Sequence, residues 1–268
     1  MKEFMSLGFD FIKLDFMSHG ALEGDHFDPK VPTGTAAYRV GMQRIVDNLS
    51  RRRVGRDVFI SLSIAPMFPH GYGHSRRISC DVFANIGATE YLLNSSAYGW
   101  WTNNRLYRFN DPDHTPLYQP LDEQPTTETE ARTRLNATVI SGGLLMESDD
   151  MTNPLAKARV KEMLGNQEVL DLARRAVHFR SAWGDTGSKA SDAFSWLAPD
   201  GKTAYVALFN FDRSATKVQD IPLARLGLPA GGWIARDVWT TEESRITGDR
   251  VTATLLPTAS ALVKLRRE

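Results

Sequence analysis

Composition and charge are those of an ordinary globular protein. The chain has 268 residues, of which 42% are apolar and 10% aromatic, with 32 Lys and Arg against 32 Asp and Glu. A chain of this length can bury a core without disulfides or metals, and its composition excludes disordered and fibrous classes. The formal net charge of +0 provides no field that collects phosphates, so we expect neither nucleic acid nor a membrane as a partner.

Few features of the sequence bear on export or redox state. No apolar stretch approaches the roughly 18 to 20 residues that cross a bilayer, and Met1-Lys2-Glu3-Phe4 does not resemble a signal peptide. The single Cys80 cannot form an internal disulfide. The compartment therefore stays open, and a secreted or periplasmic location would need a signal upstream of this sequence.

Strands and helices are predicted to alternate along the first two thirds of the chain. Apolar residues recur at three- and four-residue spacing over 34–51, which predicts a helix with one buried face. Thr127 and Glu130 form a capping-box pattern, and Asn153-Pro154 is a typical helix start. This alternation predicts a parallel sheet with right-handed crossovers. The five predicted strands are 8–16, 58–64, 77–80, 106–109 and 144–146, with a further helix over 89–101.

Short strands without helices are predicted for the last third. Pro199-Asp200-Gly201 is a hairpin-turn pattern between the first two of them. The spacing predicts a small antiparallel β domain of about 80 residues, so we divide the chain into 1–186 and 187–268. The predicted strands are 194–197, 203–211, 233–239, 251–255 and 261–265.

Two charged residues interrupt the first predicted strand. Lys13 and Asp15 are two residues apart, so on a strand both side chains point to the same side. Burying both costs several kcal/mol unless they pair or face a polar site. They lie at the carboxyl end of the strand, where parallel α/β proteins place their active sites. A nearby lysine would keep Asp15 ionised and suited to nucleophilic attack, and a structural ion pair is the alternative.

A second carboxylate ends another predicted strand. Arg77, Ser79 and Asp81 share one face if this segment is a strand. Two carboxylates at the mouth of one sheet suit glycoside hydrolysis, in which one attacks the anomeric carbon and the other protonates the leaving oxygen. A cation that touches Asp81 would lower its pKa, whereas a general acid needs a raised pKa. Arg77 is therefore expected to point at substrate hydroxyls.

Metal binding is the main competing interpretation. Acidic residues also follow strands at 110–113 and 147–150, and a metal-dependent hydrolase could use them together with nearby histidines. No zinc spacing or calcium-loop pattern appears, so we expect no metal site. Ser79 and Cys80 have no histidine at a motif-like spacing, which argues against a Ser or Cys nucleophile. The histidines near the carboxylates in sequence are His19, His26, His70, His74 and His114.

Four segments in chain order carry a resemblance to a known family. They are 11–16 (FIKLDF), 77–81 (RISCD), 110–113 (NDPD) and 141–150 (SGGLLMESDD). With a tail that contains Leu208-Phe209-Asn210 and Arg236-Asp237-Val238-Trp239, the chain resembles the melibiase-type retaining α-galactosidases of glycoside hydrolase clan D. The resemblance extends over most of the chain. It implies a (β/α)8 TIM barrel followed by a small β-sandwich.

The resemblance also implies a role for each candidate residue. Asp15 corresponds to the nucleophile and Asp81 to the acid/base, while Lys13 and Arg77 bind sugar hydroxyls and Asp113 shapes the same pocket. The implied mechanism is double displacement on an α-galactoside with retention of configuration. It requires no cofactor.

One departure from the family concerns the sugar. Galactosidases of this family often have an acidic residue just after the second strand seen here, where it senses the 2-substituent. This chain has Ser63-Ile64-Ala65-Pro66-Met67 at that place. N-acetylgalactosamine, arabinopyranose and glucose therefore remain alternatives to galactose.

A second departure concerns completeness. The nucleophile strand is the fourth of eight in the family but begins here at about residue 8, which leaves five strands of the barrel. A full barrel takes roughly 250 residues, against about 185 before the β domain. We therefore predict a partial barrel, about the last five βα units, with a half-built pocket. Its unpaired edges and wet apolar faces favour association, so an oligomer stays open. A non-catalytic remnant that binds sugar or nothing is the rival interpretation.

Overall fold

The computed structural model describes residues 2–119, 124–184 and 186–268. The chain forms two compact units: Met1–Arg77 with Asn104–Asp111 is the first, and Ile78–Asn103 with Pro112–Glu268 is the second. This division differs from the predicted boundary at 186/187, which stays a prediction. Across the described ranges, no helix is long and apolar enough to cross a membrane.

The first unit contains a parallel four-stranded sheet, in which the strands lie in chain order and each pairs with the next. Its helices are short except for one of four turns. The strands are β1 (Phe11–Leu14), β2 (Phe59–Leu62), β3 (Ser75–Arg77) and β4 (Phe109–Asp111); the helices are α1 (Lys2–Ser6), a 3-10 helix (Met17–Ala21), α2 (Gly34–Leu49) and α3 (Arg51–Val54).

Helix α2 forms where the apolar spacing predicts it. Thr33 caps its first turn by accepting a hydrogen bond from the Ala36 N–H. Gly34 must be a glycine because a Cβ there would lie 2.3 Å from the carbonyl oxygen of Ala21. The buried face of the helix, Tyr38 and Met42 among it, packs with β2 into the core of the first unit.

Three predicted strands are wrong in position or absent. The third strand is 75–77 rather than 77–80, and the fourth is 109–111 rather than 106–109. These two strands pair with each other, and their last paired residues are Arg77 and Asp111. Ser79 and Asp81 therefore lie beyond the strand and do not share its face with Arg77. The fifth predicted strand, 144–146, is reduced to one parallel bridge between Thr115 and Glu147.

The helices of the second unit begin at polar capping residues, of which Thr127 and Asn153 were predicted and Asn85 and Asn166 were not. Asn85 caps the first, and the Thr127–Glu130 capping box is confirmed, since the Thr127 hydroxyl donates to the Glu130 carboxylate and accepts from its N–H. The Asn153-Pro154 start is confirmed too. These helices are α4 (Ile86–Gly99), a 3-10 helix (Trp100–Thr102), α5 (Glu128–Ile140), α6 (Pro154–Met163) and α7 (Gln167–Arg175).

The last third is antiparallel β structure, as predicted. The hairpin turn at Pro199-Asp200-Gly201 is confirmed, since Asp200 accepts hydrogen bonds from the Lys202 and Thr203 N–H groups. One sheet has the order β10-β9-β12-β7-β6-β5 and the other pairs β11 with β8. Three strands were not predicted: β5, β8 and β10. The bounds are β5 (Arg180–Ser181), β6 (Ala193–Leu197), β7 (Thr203–Phe209), β8 (Lys217–Pro222), β9 (Trp233–Asp237), β10 (Glu243–Ile246), β11 (Arg250–Leu255) and β12 (Ser260–Arg267).

Strand β7 separates two cores within the second unit. Tyr205, Ala207 and Phe209 face the helices and pack with residues of α4, α5 and α7. Val206 and Leu208 point to the other side, into the core between the two sheets. The helices therefore share one of these cores with the β domain. This shared core explains why the helices and the β domain belong to the same compact unit.

Candidate active site

One face of the four-stranded sheet is polar toward the carboxyl ends of the strands. Lys13 pairs in register with Ser61, and Ser61 pairs with Ser75, so their side chains point to the same face. The Ser75 hydroxyl donates to Ser61 at 2.8 Å, and the Ser61 hydroxyl donates to the Asp111 carboxylate at 3.0 Å. Arg77 is opposite Asp111 on that same face. A buried polar row thus crosses three strands where barrel enzymes place their chemistry.

The other end of this face is aromatic. The Phe59 ring lies 5.3 Å from Phe11, 5.0 Å from His74 and 5.7 Å from Phe109 between centroids. His74 directly precedes β3 and is bonded to β2, because its Nδ1 accepts the Ile60 N–H at 3.0 Å. The face therefore changes from apolar to polar along the strand direction, and the candidate residues lie at the polar end.

Asp15 follows directly after β1, at this polar end. Its Oδ1 accepts the Phe16 N–H at 2.7 Å. Burial acts to raise the pKa of Asp15, but the Ser63 hydroxyl, the Phe16 N–H and the positive charges of Arg77 and Lys13 outweigh it and hold the pKa below its ordinary value. Asp15 is exposed and ionised at neutral pH, which is the state a carboxylate nucleophile needs.

Arg77 acts electrostatically on Asp15. Its side chain is buried, and its charge lowers the pKa of Asp15. The predicted strand face shared by Arg77 and Asp81 is wrong, because β3 ends at Arg77. Lys13 acts on Asp15 in the same direction as Arg77. The charges of Arg77 and Lys13 thus both favour the ionised form of Asp15, the candidate nucleophile.

Asp81 lies four residues after β3, in an irregular segment, with its side chain exposed. The next residue, Val82, is 1% exposed. Asp113 Oδ2 accepts the Val82 N–H at 3.0 Å, and the His114 Nε2–H donates to the Val82 carbonyl oxygen. The segment that carries the candidate acid/base is therefore fixed through the backbone of its neighbour.

Asp113 is itself buried, with 5% of its surface exposed. Its carboxylate oxygen contacts the protein backbone through Val82. Its φ of 67° lies in the left-handed region, which Asp and Asn adopt more readily than other side chains. Contact of Asp113 with substrate stays a prediction.

Asp15 belongs to the first unit and Asp81 to the second. The convergence of their carboxyl groups on one sugar linkage therefore stays a prediction. Retaining enzymes hold two such groups about 5 to 5.5 Å apart, and inverting enzymes about 6.5 to 9.5 Å.

Sequence reasoning noted the acidic residues at 147–150, in the second unit, but missed how they are arranged. Asp149 accepts hydrogen bonds from the N–H groups of Leu117, Tyr118 and Gln119. Burial first, and then the hydrogen bond and negative charge of Asp149, raise the pKa of Glu147 to about 7. The Glu-Ser-Asp spacing in 147–149 was visible, but only the fold shows that Asp149 gathers backbone N–H groups beside Glu147.

The competing interpretation of a metal site concerned the acidic residues and histidines near the predicted strand ends. Within the described residues, no three His, Cys, Asp or Glu side chains are grouped so that they could hold a metal ion.

Comparisons with known proteins match one domain of the chain to a family model and its fold to solved structures. Residues 193–265 match the alpha galactosidase C-terminal beta sandwich domain. No curated protein matches the chain. A GH27 β-L-arabinopyranosidase from Geobacillus stearothermophilus has a similar structure, with a TM-score of 0.74 and 20% identity over 99% of this chain and 60% of that one.

Two α-galactosidases are also structurally similar. That of Mortierella vinacea, α-galactosidase I, has a TM-score of 0.75 and 17% identity, covering 98% of this chain and 69% of its own. That of Saccharomyces cerevisiae has a TM-score of 0.74 and 14% identity, covering 100% and 74%.

The comparisons confirm the predicted fold class, a partial (β/α) barrel followed by a β-sandwich. The chain spans about 60% of the length of the arabinopyranosidase. The resemblance inferred from the sequence is thereby confirmed: this chain has the fold of the C-terminal part of the melibiase-type α-galactosidases, and residues 193–265 form their C-terminal β-sandwich domain.

Proposed function

We propose that this chain carries the two catalytic carboxylates of a retaining glycosidase that removes terminal α-linked galactose from oligosaccharides or glycoconjugates. The observation that carries the proposal is the state of Asp15, an exposed carboxylate at the carboxyl end of a barrel strand. Its pKa is held low by the Ser63 hydroxyl and the Phe16 N–H, and then by the charges of Arg77 and Lys13. A carboxylate that stays ionised beside two cations can bond to an anomeric carbon without first losing a proton.

The proposed reaction has two steps. In the first, an Asp15 carboxylate oxygen bonds to C1 while the bond from C1 to the aglycone oxygen breaks, and Asp81 gives its proton to that oxygen. In the second, Asp81 takes a proton from water as the water oxygen attacks C1 and releases Asp15. Two inversions leave the configuration at C1 unchanged.

Lys13 and Arg77 have a double role in this proposal. Both are on the polar face of the sheet, where they can donate to sugar hydroxyls while their charges keep Asp15 ionised. Asp113 contributes to the shape of the same pocket in the proposal. No metal and no cofactor takes part in it.

Galactose is proposed over its alternatives because α-galactosidases recur among the similar structures. The segment Ser63-Ile64-Ala65-Pro66-Met67 lacks the acidic residue that the galactosidase resemblance implies near the 2-hydroxyl. Arabinopyranosides, N-acetylgalactosaminides and glucosides are therefore tested beside galactosides.

The decisive experiment measures hydrolysis of phenyl α-galactoside, whose poor leaving group needs a proton, by the purified chain and by three variants. Asp15→Asn and Asp81→Asn should each lower kcat/KM by about 10² to 10⁴, the range expected for a lost proton transfer or nucleophile. Asp57→Asn is the matched control, because Asp57 is an exposed surface carboxylate of the first unit. Wild-type rates in both active-site variants of an active preparation would refute the assigned roles.

A second candidate function is sugar binding without turnover. It is favoured by the polar face of the first unit's sheet, where Lys13 and Arg77 can donate to sugar hydroxyls whether or not hydrolysis follows. Saturable binding of galactose without hydrolysis, lost in Asp15→Asn, supports this candidate. A hydrolytic rate that chelators abolish would instead support a metal-dependent hydrolase.

A further inference from the structure

We propose that Asp113 and His114 are positioning residues that hold the Asp81 segment in its working orientation by gripping the backbone of Val82. The catalytic part of this inference rests on the proposed role of Asp81 as the acid/base. The structural part, a grip on residues 80–82, stands on contacts within the second unit.

Both backbone groups of Val82 are held by neighbouring residues of one loop. Asp113 Oδ2 accepts the N–H at 3.0 Å, and the His114 Nε2–H donates to the carbonyl oxygen. Val82 is buried, so its polar backbone groups cannot turn to water without loss of free energy. The two side chains thus hold the two peptide units on either side of the Val82 Cα, which restrains the backbone at Val82 in rotation as well as in position.

The gripping loop is fixed in turn from helix α5. Arg134 is completely buried, and its Nη2 donates to the carbonyl oxygens of Pro112 at 2.8 Å and His114 at 2.7 Å. The N–H of Thr115 donates to the Met146 carbonyl oxygen at 2.7 Å. Hydrogen bonds to a buried guanidinium are stronger than neutral ones, so the loop is held on both sides of Asp113.

The side chains around Val82 alternate between solvent and core. Cys80, Asp81 and Phe83 are exposed, whereas Val82 and Ala84 are buried. The buried Val82 therefore fixes which way the Asp81 side chain faces. A general acid acts only within hydrogen-bond reach of the leaving oxygen, and small misplacements cost large factors in rate.

The left-handed backbone at Asp113 allows a clean test. Asp113→Gly removes the carboxylate at a φ of 67° that glycine adopts freely, so the backbone need not change. Asp113→Asn keeps an acceptor oxygen and tolerates the same φ, so it should restore part of the grip. The pair separates the loss of the grip from the loss of the charge. His114→Phe removes the other contact while it keeps a ring.

The first measurement needs no catalysis. Cys80 is the only cysteine, it is exposed, and its Sγ lies 3.5 Å from the Tyr91 hydroxyl. Its rate of reaction with a disulfide reagent reports on the freedom of the segment. Asp113→Gly should raise the rate about tenfold and His114→Phe about threefold, since hydrogen bonds of these kinds restrain local opening by that order. Asp113→Asn should stay within about threefold of wild type.

The control variant is Asp149→Asn. Asp149 is also a buried carboxylate of the second unit that accepts backbone N–H groups, but it holds residues 117–119. This variant should leave the Cys80 rate unchanged. Equal acceleration in Asp113→Gly and Asp149→Asn would mean general loosening and would overturn the inference, as would no acceleration in Asp113→Gly.

The second measurement tests the catalytic consequence through the leaving group. A misplaced acid penalises poor leaving groups, which need a proton, more than good ones, which do not. In Asp113→Gly, kcat/KM for phenyl α-galactoside should fall at least tenfold more than for 2,4-dinitrophenyl α-galactoside, and Asp113→Asn should recover part of it. An equal fall for both substrates would overturn the positioning role.

The two measurements fail independently. If Cys80 reacts faster in Asp113→Gly but the chain has no hydrolytic activity, the result supports the grip and counts against the proposed function. An unchanged Cys80 rate in an active chain leaves the proposed function standing and removes the grip.

Discussion

Strands β7 and β1 show how differently the two units bury apolar sequence. β7 lies in the middle of a six-stranded sheet with a core on each face, and its Phe209 is completely buried. β1 lies at the end of the four-stranded sheet, and its Phe11 is 40% exposed. An apolar residue in a strand is therefore not necessarily buried. What decides burial is whether a second layer covers each face.

The exposed apolar side chains of the first unit are concentrated near its amino end. Apolar surface of this kind favours association in water, because burying it against another surface removes it from solvent. The second unit should therefore dominate stability, and the first unit should be the one sensitive to added partners. The exposed aromatic residues before α2 are Phe4, Phe9, Phe11, Phe16 and Phe27.

The largest expected contrast is between two phenylalanines. Phe209→Ala should lower the free energy of unfolding by about 3 to 5 kcal/mol, because Phe209 is buried and packs edge to face on Phe194. Phe11→Ala should cost less, about 1 to 2 kcal/mol, because Phe11 is 40% exposed although its ring stacks on Phe59. Denaturant unfolding of both variants measures the difference. Equal losses would mean that β1 is covered in solution.

The next contrast is between two histidines and depends on pH. Burial lowers the pKa of His178 to about 4, although its Nδ1–H donates to the Phe179 carbonyl. Above about pH 6.5 the His178 imidazole is neutral in both the folded and the unfolded chain. As the pH falls from 6.5 to 4 the unfolded chain takes up the proton first, so stability falls by about 3 kcal/mol from this group. His178→Gln should remove that part of the acid dependence, whereas the exposed His70→Gln should not alter it.

A smaller effect is expected from Glu168, which joins α7 to the β domain. Its carboxylate binds Arg236, Lys264 at 3.0 Å and the Tyr205 hydroxyl at 3.1 Å. Glu168→Gln should lower the free energy of unfolding by about 1 to 3 kcal/mol, because two cations lose a shared partner.

The matched control for Glu168 lies in the first unit. Arg51 Nη1 and Asp57 Oδ2 form an exposed ion pair at 3.2 Å. Asp57→Asn should lower the free energy of unfolding by less than about 0.5 kcal/mol, because water screens this pair. A thermal unfolding series gives both values. A large loss in Asp57→Asn would show that the first unit is more tightly built than its exposure indicates.

The smallest expected effect concerns Glu147 and has the opposite pH dependence to His178. The pKa of Glu147 is raised to about 7, so its contribution is present below about pH 4.5 and is lost as the pH rises through 7. Because the group is partly exposed, we expect a loss of only about 1 kcal/mol. Glu147→Gln should therefore be more stable than wild type at pH 8 and about equal to it at pH 5. Greater stability of the wild type at pH 8 would contradict this sign.

The sequence was most informative where a rule is local. The capping box at Thr127 and the turn at Asp200 depend on a few neighbouring residues, and both are confirmed. The ends of β3 and β4 were misplaced because they depend on a partner 34 residues away, as in the pairing of Arg77 with Asp111. The strand predicted at 144–146 failed for the same reason, since its pairing shrinks to one bridge.

The candidate site divides in the same way. Lys13 and Asp15 were found from their spacing on a strand, and the low pKa of Asp15 agrees with that analysis. The charge of Arg77 acting on Asp15 could not be found from spacing, because it joins two strands that a helical crossover separates. The grip on Val82 was equally hidden, since Asp113 and Val82 are 31 positions apart.

By itself the sequence determined the family resemblance, the class of fold and the identity of the chemical groups, because motifs and periodicity are written in neighbouring residues. Only the tertiary structure decided which distant groups act on one another: that Arg77 lowers the pKa of Asp15, that Asp113 holds Val82, and that the helices share a core with the β domain. The physical reason is that electrostatic and packing energies fall with distance in space, whatever the separation along the chain.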